Sequence, residues 1–358
     1  MEESCVYTYK GAIHIHSKLS DGTGDINTIS KAAKSAGLDW IIITDHNYID
    51  SNEGTINGVY VIKGQEISPK QYNHYLTLGV NELIKTETDA QVYVDNVREK
   101  GGFGFAAHPD EGMIIDENGK CCPRKNSYHC IPWTDKSIRP DGVEIWNWFS
   151  NWADNLDDSN ILKLAYAYLF KNKIVKAPSN ITLKWWDDLN KNTDSIVPAI
   201  GGVDAHALKI YKYVIPVTVF PYKTCFKTIT NFIHLSKPLS KDFSEAKKQI
   251  LDAIKKGNNT IVNRNVSKNI PEIFVTNGRN TCYAGDCIEL NKKCFLHYKS
   301  NRAMEICLIY NGYELKRITS KNFIYPITQI GKYRLEVRFK DRGFIYTNAF
   351  YIKDKVEN

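Results

Sequence analysis

Short apolar runs alternate with polar, helix-like segments along residues 1–210. Seven of these runs have the length of buried strands, and most end close to a His, Asp or Glu. They are Ala12 to Ile15, Trp40 to Ile43, Val59 to Ile62, Tyr75 to Leu78, Phe103 to Ala107, Val143 to Trp146 and Val197 to Val203. Asp25 to Ala36 is predicted to be a helix capped by Asp25 and ended by Gly37. Strands alternating with helices indicate a parallel sheet, most simply an α/β barrel.

The pattern changes toward the C-terminal part of the chain. Ser244 to Lys256 is predicted to be a closing helix with Ser244 as its cap. From about residue 270 the apolar period becomes two, which predicts half-buried strands such as KYRLEVRF at 332–339. Asn311-Gly312 predicts a hairpin, because both central residues of a type I′ turn need positive φ. We therefore expect an α/β barrel at residues 1–266 and a small antiparallel β-sandwich at residues 267–358.

Side chains that can bind metal ions follow the apolar runs. His14-Ile15-His16 closes the first run, and both imidazoles are expected on one side because strand side chains repeat every two residues. The other residues of this kind are Asp21, His46, Glu66, His74, His108, Asp204 and His206. The C-terminal ends of barrel strands meet on one face, so these residues are predicted to form one metal site. His74 differs because it stands at the start of its run, and Asp45 is expected to orient an imidazole through its free ring nitrogen.

Composition and charge limit the possible partners. The hydrophobic fraction of 42% excludes a disordered chain. The net charge of +7 favours anionic ligands, but the basic residues are scattered, so nucleic acid is a possible and not a favoured partner. No segment approaches the roughly 18 apolar residues of a membrane span, and the first residues lack the apolar run of a signal peptide. Nine cysteines without a CxxC pair suit free thiols, and together these features predict a cytoplasmic protein.

A family resemblance follows from the order of the motifs. HxH, SDG, TDH, GxE, a His before an apolar run, HP and GGxDAH resemble the complete motif set of the PHP (polymerase and histidinol phosphatase) superfamily, over roughly residues 8–260. The segments EIWN, FPYKTCF and IYTNAFYI are similar to the branch that carries a C-terminal β-domain. The resemblance implies a distorted (β/α)7 barrel followed by that domain.

The resemblance also implies two or three divalent ions, and nitrogen and oxygen ligands suit Mn, Fe or Zn. The first ion would be held by His14, His16, Glu66 and Asp204, the second by Glu66, His74 and His108, and the third by Asp21, His46 and His206. Glu66 would bridge two ions. Glu66 and Asp204 would be the catalytic residues around a metal-bridging hydroxide.

These features predict a metal-dependent hydrolase of phosphate esters, either mono- or diesters and possibly nucleotide-like, that acts on a small phosphorylated substrate. Lys18 and Arg124 are the candidates for binding the substrate phosphate. Trp146, Trp148 and Trp152 either line a pocket for a ring or pack in the core. A metal-dependent amidohydrolase acting on C–N bonds and a non-catalytic binding module are the alternatives.

Overall fold

The computed structural model describes residues 6–115, 121–123, 130–156, 161–191, 193–212 and 215–354. The strands are β1 Tyr7–Ile15, β2 Trp40–Ile43, β3 Gly54–Ile56, β4 Val59–Ile67, β5 Tyr75–Leu78, β6 Phe103–Ala106, β7 Met113–Ile115, β8 Cys121–Pro123, β9 Gly142–Asn147, β10 Ala199–Ala205, β11 Lys209–Lys212, β12 Ile215–Thr218, β13 Ile229–Leu235, β14 Asn259–Asn263, β15 Glu272–Thr276, β16 Thr281–Cys282, β17 Cys287–Glu289, β18 Phe295–Tyr310, β19 Tyr313–Pro326, β20 Gly331–Phe339, β21 Arg342–Thr347 and β22 Phe350–Lys353. The helices are α1 Ile26–Ser35, α2 Ala90–Glu99, α3 Trp148–Asp154, α4 Ile161–Leu169, α5 Lys171–Ile174, α6 Asn180–Lys191, α7 Tyr222–Cys225 and α8 Phe243–Lys256.

Seven strands close into a barrel in the order β1, β2, β4, β5, β6, β9 and β10, and β10 pairs back with β1. This confirms the predicted seven-stranded α/β barrel. The expectation of a wholly parallel sheet is wrong at one strand, because β5 is antiparallel to both β4 and β6. Residues 68–74 alone connect β4 to β5, and a parallel crossover needs a dozen residues or more.

Capping side chains set where the helices begin. The Asp25 carboxylate accepts a hydrogen bond from Thr28 N at 2.8 Å and starts α1, as predicted. At α8 the cap is Asp242, which accepts from Glu245 N at 2.9 Å, and the expectation that Ser244 has this role is wrong. Ser244 already lies within the first turn, because the helix begins at Phe243. None of the helices in the described ranges is both long and apolar enough to cross a membrane.

The strands from β15 onward surround a second hydrophobic core. Asn311 and Gly312 have φ values of 46° and 80° and join β18 to β19, which confirms the predicted hairpin. The other pairings among these strands are antiparallel, but β17 and β22 pair in parallel, so the expectation of an entirely antiparallel unit is wrong there. The division between residues 266 and 267 stays a prediction; β14, before it, pairs with β21, after it.

The charged face of β20 is buried against the barrel. The alternating sequence predicted a half-buried strand, yet Lys332 is only 8% exposed and Arg334 5%. The Lys332 ammonium donates hydrogen bonds to the carbonyls of Asn190, Thr193 and Ser195 at 2.6 to 2.8 Å. The carbonyl of Asn190 belongs to the last turn of α6 and the other two follow the helix, and all three replace the water that the ammonium loses.

Arg334 forms the central ion pair of this contact. Its guanidinium donates to both carboxylate oxygens of Asp187 in α6, at 2.8 and 2.7 Å, and to Glu336 Oε1 at 2.7 Å. The two-pronged geometry is the strong form of an arginine–carboxylate pair. The expectation of one exposed face fails at β20 because paired charges on the barrel cover it.

Replacing Arg334 by alanine is expected to lower the free energy of unfolding by about 3–5 kcal/mol, because Asp187 and Glu336 would be left buried without their cation. Arg317 of β19 is a matched control, since it pairs with Glu305 of β18 and Glu314 of β19 but its side chain is 43% exposed. Its alanine variant should lose about 1 kcal/mol or less. Urea unfolding of both variants measures the difference. Equal losses would show that the Arg334 contact adds nothing beyond a surface pair.

Candidate metal centre

Nine side chains of metal-binding type meet at one end of the barrel. They come from strand ends and the adjoining loops, and they are His14, His16, Asp21, His46, Glu66, His74, His108, Asp204 and His206. The antiparallel direction of β5 explains the unusual position of His74, because the start of this strand lies where the parallel strands finish. The structure thus brings together all nine residues that the sequence singled out, and their role as ligands stays a prediction.

Glu66 lies at the centre of the cluster and is fully buried. Its Oε2 is 3.2 Å from His14 Nε2 and 2.9 Å from His46 Nδ1. Its Oε1 is 2.9 Å from His74 Nδ1 and 3.2 Å from His108 Nε2. A single carboxylate therefore faces imidazoles with both of its oxygens.

Asp204 is a second buried carboxylate of the cluster. Its Oδ1 is 3.2 Å from His16 Nε2. Farther out, His206 Nε2 is 3.2 Å from Asp21 Oδ1, and the Asp21 side chain is 53% exposed. The cluster thus has a closed end at Glu66 and a solvent-facing end at Asp21.

Four overlapping groups bring their ligand atoms within 4.8 Å of one another. They are His14, His16 and Asp204; His14, Glu66 and His108; His46, Glu66 and His74; and His16, Asp21, His46 and His206. The resemblance keeps His46 in the third ligand set only, whereas the structure also places it beside Glu66 and His74. Which residues share an ion stays a prediction.

Unusual backbone conformations accompany three residues of the cluster. His14, His108 and Asp204 have positive φ values of 67°, 27° and 48°, in a region that residues other than glycine seldom occupy. At His14 the pairing of β1 with β10 shifts register between Ile13 and Ile15, so the plain alternation expected for the HxH pair is interrupted. Backbone strain of this kind is typical of functional sites, where it directs side chains.

Glu144 in β9 positions two histidines, a role that the sequence did not reveal. Its Oε1 is 2.8 Å from His14 Nδ1, and its Oε2 accepts a hydrogen bond from His108 N at 2.7 Å. Glycine at position 202 permits this approach, since a Cβ there would lie 1.6 Å from Glu144 Oε1. The one sequence feature that could have indicated this role is the acidic residue within the otherwise apolar run GVEIW.

Asp45 has a different role from the one expected. Its carboxylate accepts hydrogen bonds from Ser17 N at 2.7 Å, Ser17 Oγ at 2.8 Å and Ser20 Oγ at 2.6 Å. It therefore holds the loop between His16 and Asp21, and the expectation that it orients an imidazole is wrong.

The electrostatic balance of the cluster favours ionised carboxylates. Burial raises the pKa of Asp21, but His206 and its neighbours outweigh burial and lower it to about 2. Burial also raises the pKa of Glu66 and of Asp204. The nearby histidines, above all His14, outweigh burial, so the pKa of each carboxylate lies well below its usual value. Burial lowers the pKa of His206, but Asp204 and Asp21 raise it to about 9. At neutral pH the carboxylates are charged and attract cations.

The donor atoms fit divalent ions. Glu144 Oε1 lies 2.8 Å from His14 Nδ1, and Glu111 Oε2 lies 3.0 Å from His108 Nδ1. With a metal ion bound, each ring would carry its proton on Nδ1 and would offer the Nε2 lone pair, which faces a Glu66 oxygen, to the ion. Among the described residues, His14 Nε2, His16 Nε2 and Glu66 Oε2 are also buried without a hydrogen-bond partner.

A cavity of about 300 Å³ opens above the cluster. Its walls include Asp21, His206 and Glu66 at the cluster, and Phe149 and Leu208 toward solvent. A ligand that enters it therefore meets the ligand-type side chains at one end and an apolar rim at the other.

Of the two predicted substrate-binding residues, the structure describes only Lys18. The Lys18 side chain is 61% exposed, 4.0 Å from Asp25, and is not part of the cavity wall. Arg124 lies outside the described residues. Trp146, Trp148 and Trp152 are buried in the barrel core, and none of them lines the cavity above the cluster. Phe149, which lies between Trp148 and Trp152 in the sequence, does line it.

The known proteins to which the chain is similar include one curated relative and two solved structures. The chain is 30% identical over 116 residues to the uncharacterized protein MJ1587 of Methanocaldococcus jannaschii, covering 28% of this chain and 67% of that protein. It is similar at 15% identity and a TM-score of 0.45 to a two-domain protein of Bacteroides vulgatus described as containing a predicted PHP-like metal-dependent phosphoesterase, covering 97% and 96% of the two chains. PsfC of Pseudomonas syringae is 14% identical, with a TM-score of 0.37 and coverage of 69% and 89%.

The family model of the PHP domain matches residues 12–215, more than half of the chain. The matched segment contains all seven barrel strands except the first residues of β1, and the whole histidine and carboxylate cluster. The chain therefore belongs to the PHP domain family.

Proposed function

We propose that this protein is a metal-dependent hydrolase of phosphate esters. The observation that carries the proposal is the cluster itself, in which nine ligand-type side chains lie together and seven of them line a solvent-accessible cavity. Membership of the PHP family supports the same reading.

Two or three divalent ions would be held by the nine residues of the cluster, with Glu66 shared between ions. The imidazole and carboxylate donors suit Mn, Fe or Zn. When bound, such ions supply Lewis-acid neutralisation of phosphoryl charge and make water more acidic.

Glu66 and Asp204 are the carboxylates that we assign to catalysis. Both line the cavity, and both remain ionised at neutral pH because their pKa values lie far below the usual range. An ionised carboxylate at the base of the cavity can orient an attacking water by accepting a hydrogen bond from it. No protein nucleophile is needed for this reaction.

The proposed substrate is a small phosphorylated molecule. Its phosphate would lie against the cluster, and its organic part would contact Phe149 and Leu208 at the apolar rim. The ring centres of Phe149 and His206 are 6.1 Å apart, so the apolar rim lies next to the cluster.

A cytoplasmic location is also proposed. Cys122, Cys130 and Cys225 in the barrel part, and Cys282, Cys287, Cys294 and Cys307 in the later strands, are free thiols. Free thiols are typical of reducing compartments.

Purified full-length protein loaded with Mn, Fe or Zn is expected to release phosphate or alcohol from model phosphomonoesters or phosphodiesters. The assay should include an amide substrate, because an amidohydrolase uses a similar ion cluster on C–N bonds. Hydrolysis of the amide without turnover of any phosphate ester would overturn the proposed reaction class.

Replacing both His14 and His16 by alanine is expected to remove bound metal and to reduce turnover by roughly a thousandfold or more, since Lewis-acid stabilisation supplies several kcal/mol. Elemental analysis and the phosphate-release assay measure the two effects. His297→Ala, which alters a histidine stacked on Phe274 far along the chain, is the control and should keep both. Unchanged activity in the double variant would place the active site elsewhere.

Glu144→Gln is expected to weaken metal binding about 10- to 100-fold, because an outer partner that orients a ligating histidine has an effect of this size. Metal titration of the apoprotein measures the dissociation constant. Urea unfolding of the apoprotein shows whether the effect is merely structural. Glu53→Gln, which removes an ion pair with Lys247 outside the cluster, serves as the matched control. Equal metal affinity in both variants would contradict a positioning role for Glu144.

A further inference from the structure

The loop that follows His16 carries the most exposed ligand-type residue of the metal centre, Asp21. Four residues bring their ligand atoms within 4.8 Å of one another at this end of the cluster, and we call them the outer group: His16, Asp21, His46 and His206. The three histidines are attached to the barrel sheet, because His16 directly follows β1, His206 directly follows β10, and His46 forms a bridge to β4. The place of Asp21 in the outer group therefore depends on what holds its loop.

The Asp21 carboxylate faces all three histidines of the outer group. Its Oδ1 is 3.2 Å from His206 Nε2 and 3.7 Å from His16 Nδ1, and its Oδ2 is 3.7 Å from His46 Nε2. Because one carboxylate faces the three rings from a single position, a displaced loop would withdraw it from all of them at once.

The hydroxyl of Tyr222 joins the two ends of this loop. Tyr222 is the first residue of α7 and is only 4% exposed. Its Oη donates a hydrogen bond to the carbonyl of His16 at 2.7 Å, and it accepts from Gly24 N at 3.0 Å and from Thr23 N at 3.2 Å. A hydroxyl has one proton and two lone pairs, so its whole hydrogen-bonding capacity is used on the loop.

The same end of the loop is bonded to the segment that carries His206. Thr23 N also donates to the carbonyl of His206 at 2.9 Å, and Thr23 Oγ1 donates to the carbonyl of Ala207 at 2.7 Å. One chain of hydrogen bonds thus runs from His16 through Tyr222 and the loop to His206.

Two glycines allow the Tyr222 ring to pack closely against the loop. A Cβ at position 22 would lie 2.1 Å from the carbonyl oxygen of His16 and 2.8 Å from the Tyr222 hydroxyl. A Cβ at position 24 would lie 2.6 Å from Tyr222 Cε2. The path of the loop is therefore fitted to the position of this tyrosine.

The two parts of the loop have different anchors. Asp45 holds the first part, because its carboxylate accepts hydrogen bonds from Ser17 and Ser20. Tyr222 holds the part that follows Asp21. Removing the Tyr222 hydroxyl alone would leave the loop attached at its start and would loosen the segment next to Asp21.

We propose that Tyr222 is a positioning residue of the metal centre: through the loop it holds Asp21 in place and so sets the affinity of the outer group for a divalent ion. The two groups that contain Glu66 include no residue of this loop and keep their affinity without the hydroxyl. The inference rests on the proposed function in one respect, that the cluster binds ions, and does not depend on the substrate.

The test is a titration of metal-free full-length protein with Mn²⁺, in which electron paramagnetic resonance reports the free ion. Tyr222→Phe removes only the hydroxyl and keeps the buried ring. Asp21→Asn, which removes the carboxylate itself, identifies the binding step that belongs to the outer group. This step is expected to weaken about tenfold in Tyr222→Phe, at the lower end of the range for outer partners of metal ligands, and the other steps should be unchanged.

Tyr333→Phe is the matched control. Tyr333 is a tyrosine of the second core, 2% exposed, and its hydroxyl donates to the carbonyl of Gln329 at 3.1 Å. Its loss should leave every Mn²⁺ step unchanged. Urea unfolding of both metal-free variants compares the stability that each hydroxyl contributes, because an effect through stability alone would weaken all steps alike.

Three results would overturn the inference and leave the proposed function intact. They are an outer step in Tyr222→Phe equal to that of the wild type, an equal weakening of all steps in that variant, and an Asp21→Asn variant that binds Mn²⁺ like the wild type. Normal Mn²⁺ steps in a wild-type protein that hydrolyses no phosphate ester would contradict the proposed function alone, since the titration needs no substrate. A wild type that binds no Mn²⁺ would overturn both.

Discussion

The buried carboxylate of Glu66 is the group around which the barrel end is organised. Burial alone would favour its neutral form, and only the surrounding imidazoles keep it charged at neutral pH. Those imidazoles come from four different segments, so each strand must end where its histidine reaches the same two oxygens. The positive φ at His14, the glycine opposite Glu144 and the reversed direction of β5 all serve this requirement.

Much of the barrel was predictable because strands and ligands repeat in a simple order. Each apolar run is short and bounded by polar residues, and a ligand-type side chain beyond it marks the end at which strands converge. The position of His74 contained the information that β5 is antiparallel, since a ligand at the start of a strand belongs at the same barrel end only if that strand is reversed. The sequence pattern alone did not show this, because apolar periodicity has no direction.

Other features depended on contacts between distant segments. Asp45 has the sequence environment of a partner for histidine, but the serines of the loop between His16 and Asp21 reach it instead. Glu144 lies within an apolar run, and its role becomes visible only when β1 and β6 are placed beside β9. The charged side of β20 resembles a solvated face in sequence, because periodicity cannot tell water from a complementary surface such as Asp187.

The pairing of β14 with β21 has a mechanical consequence. Backbone hydrogen bonds run without interruption from β1 through β13 and β14 into β21 and β20. Two bodies joined by a continuous sheet cannot swing apart as on a hinge without breaking that ladder, unlike bodies joined by a loop. The C-terminal strands are therefore joined to the barrel by a continuous sheet and not by a flexible linker.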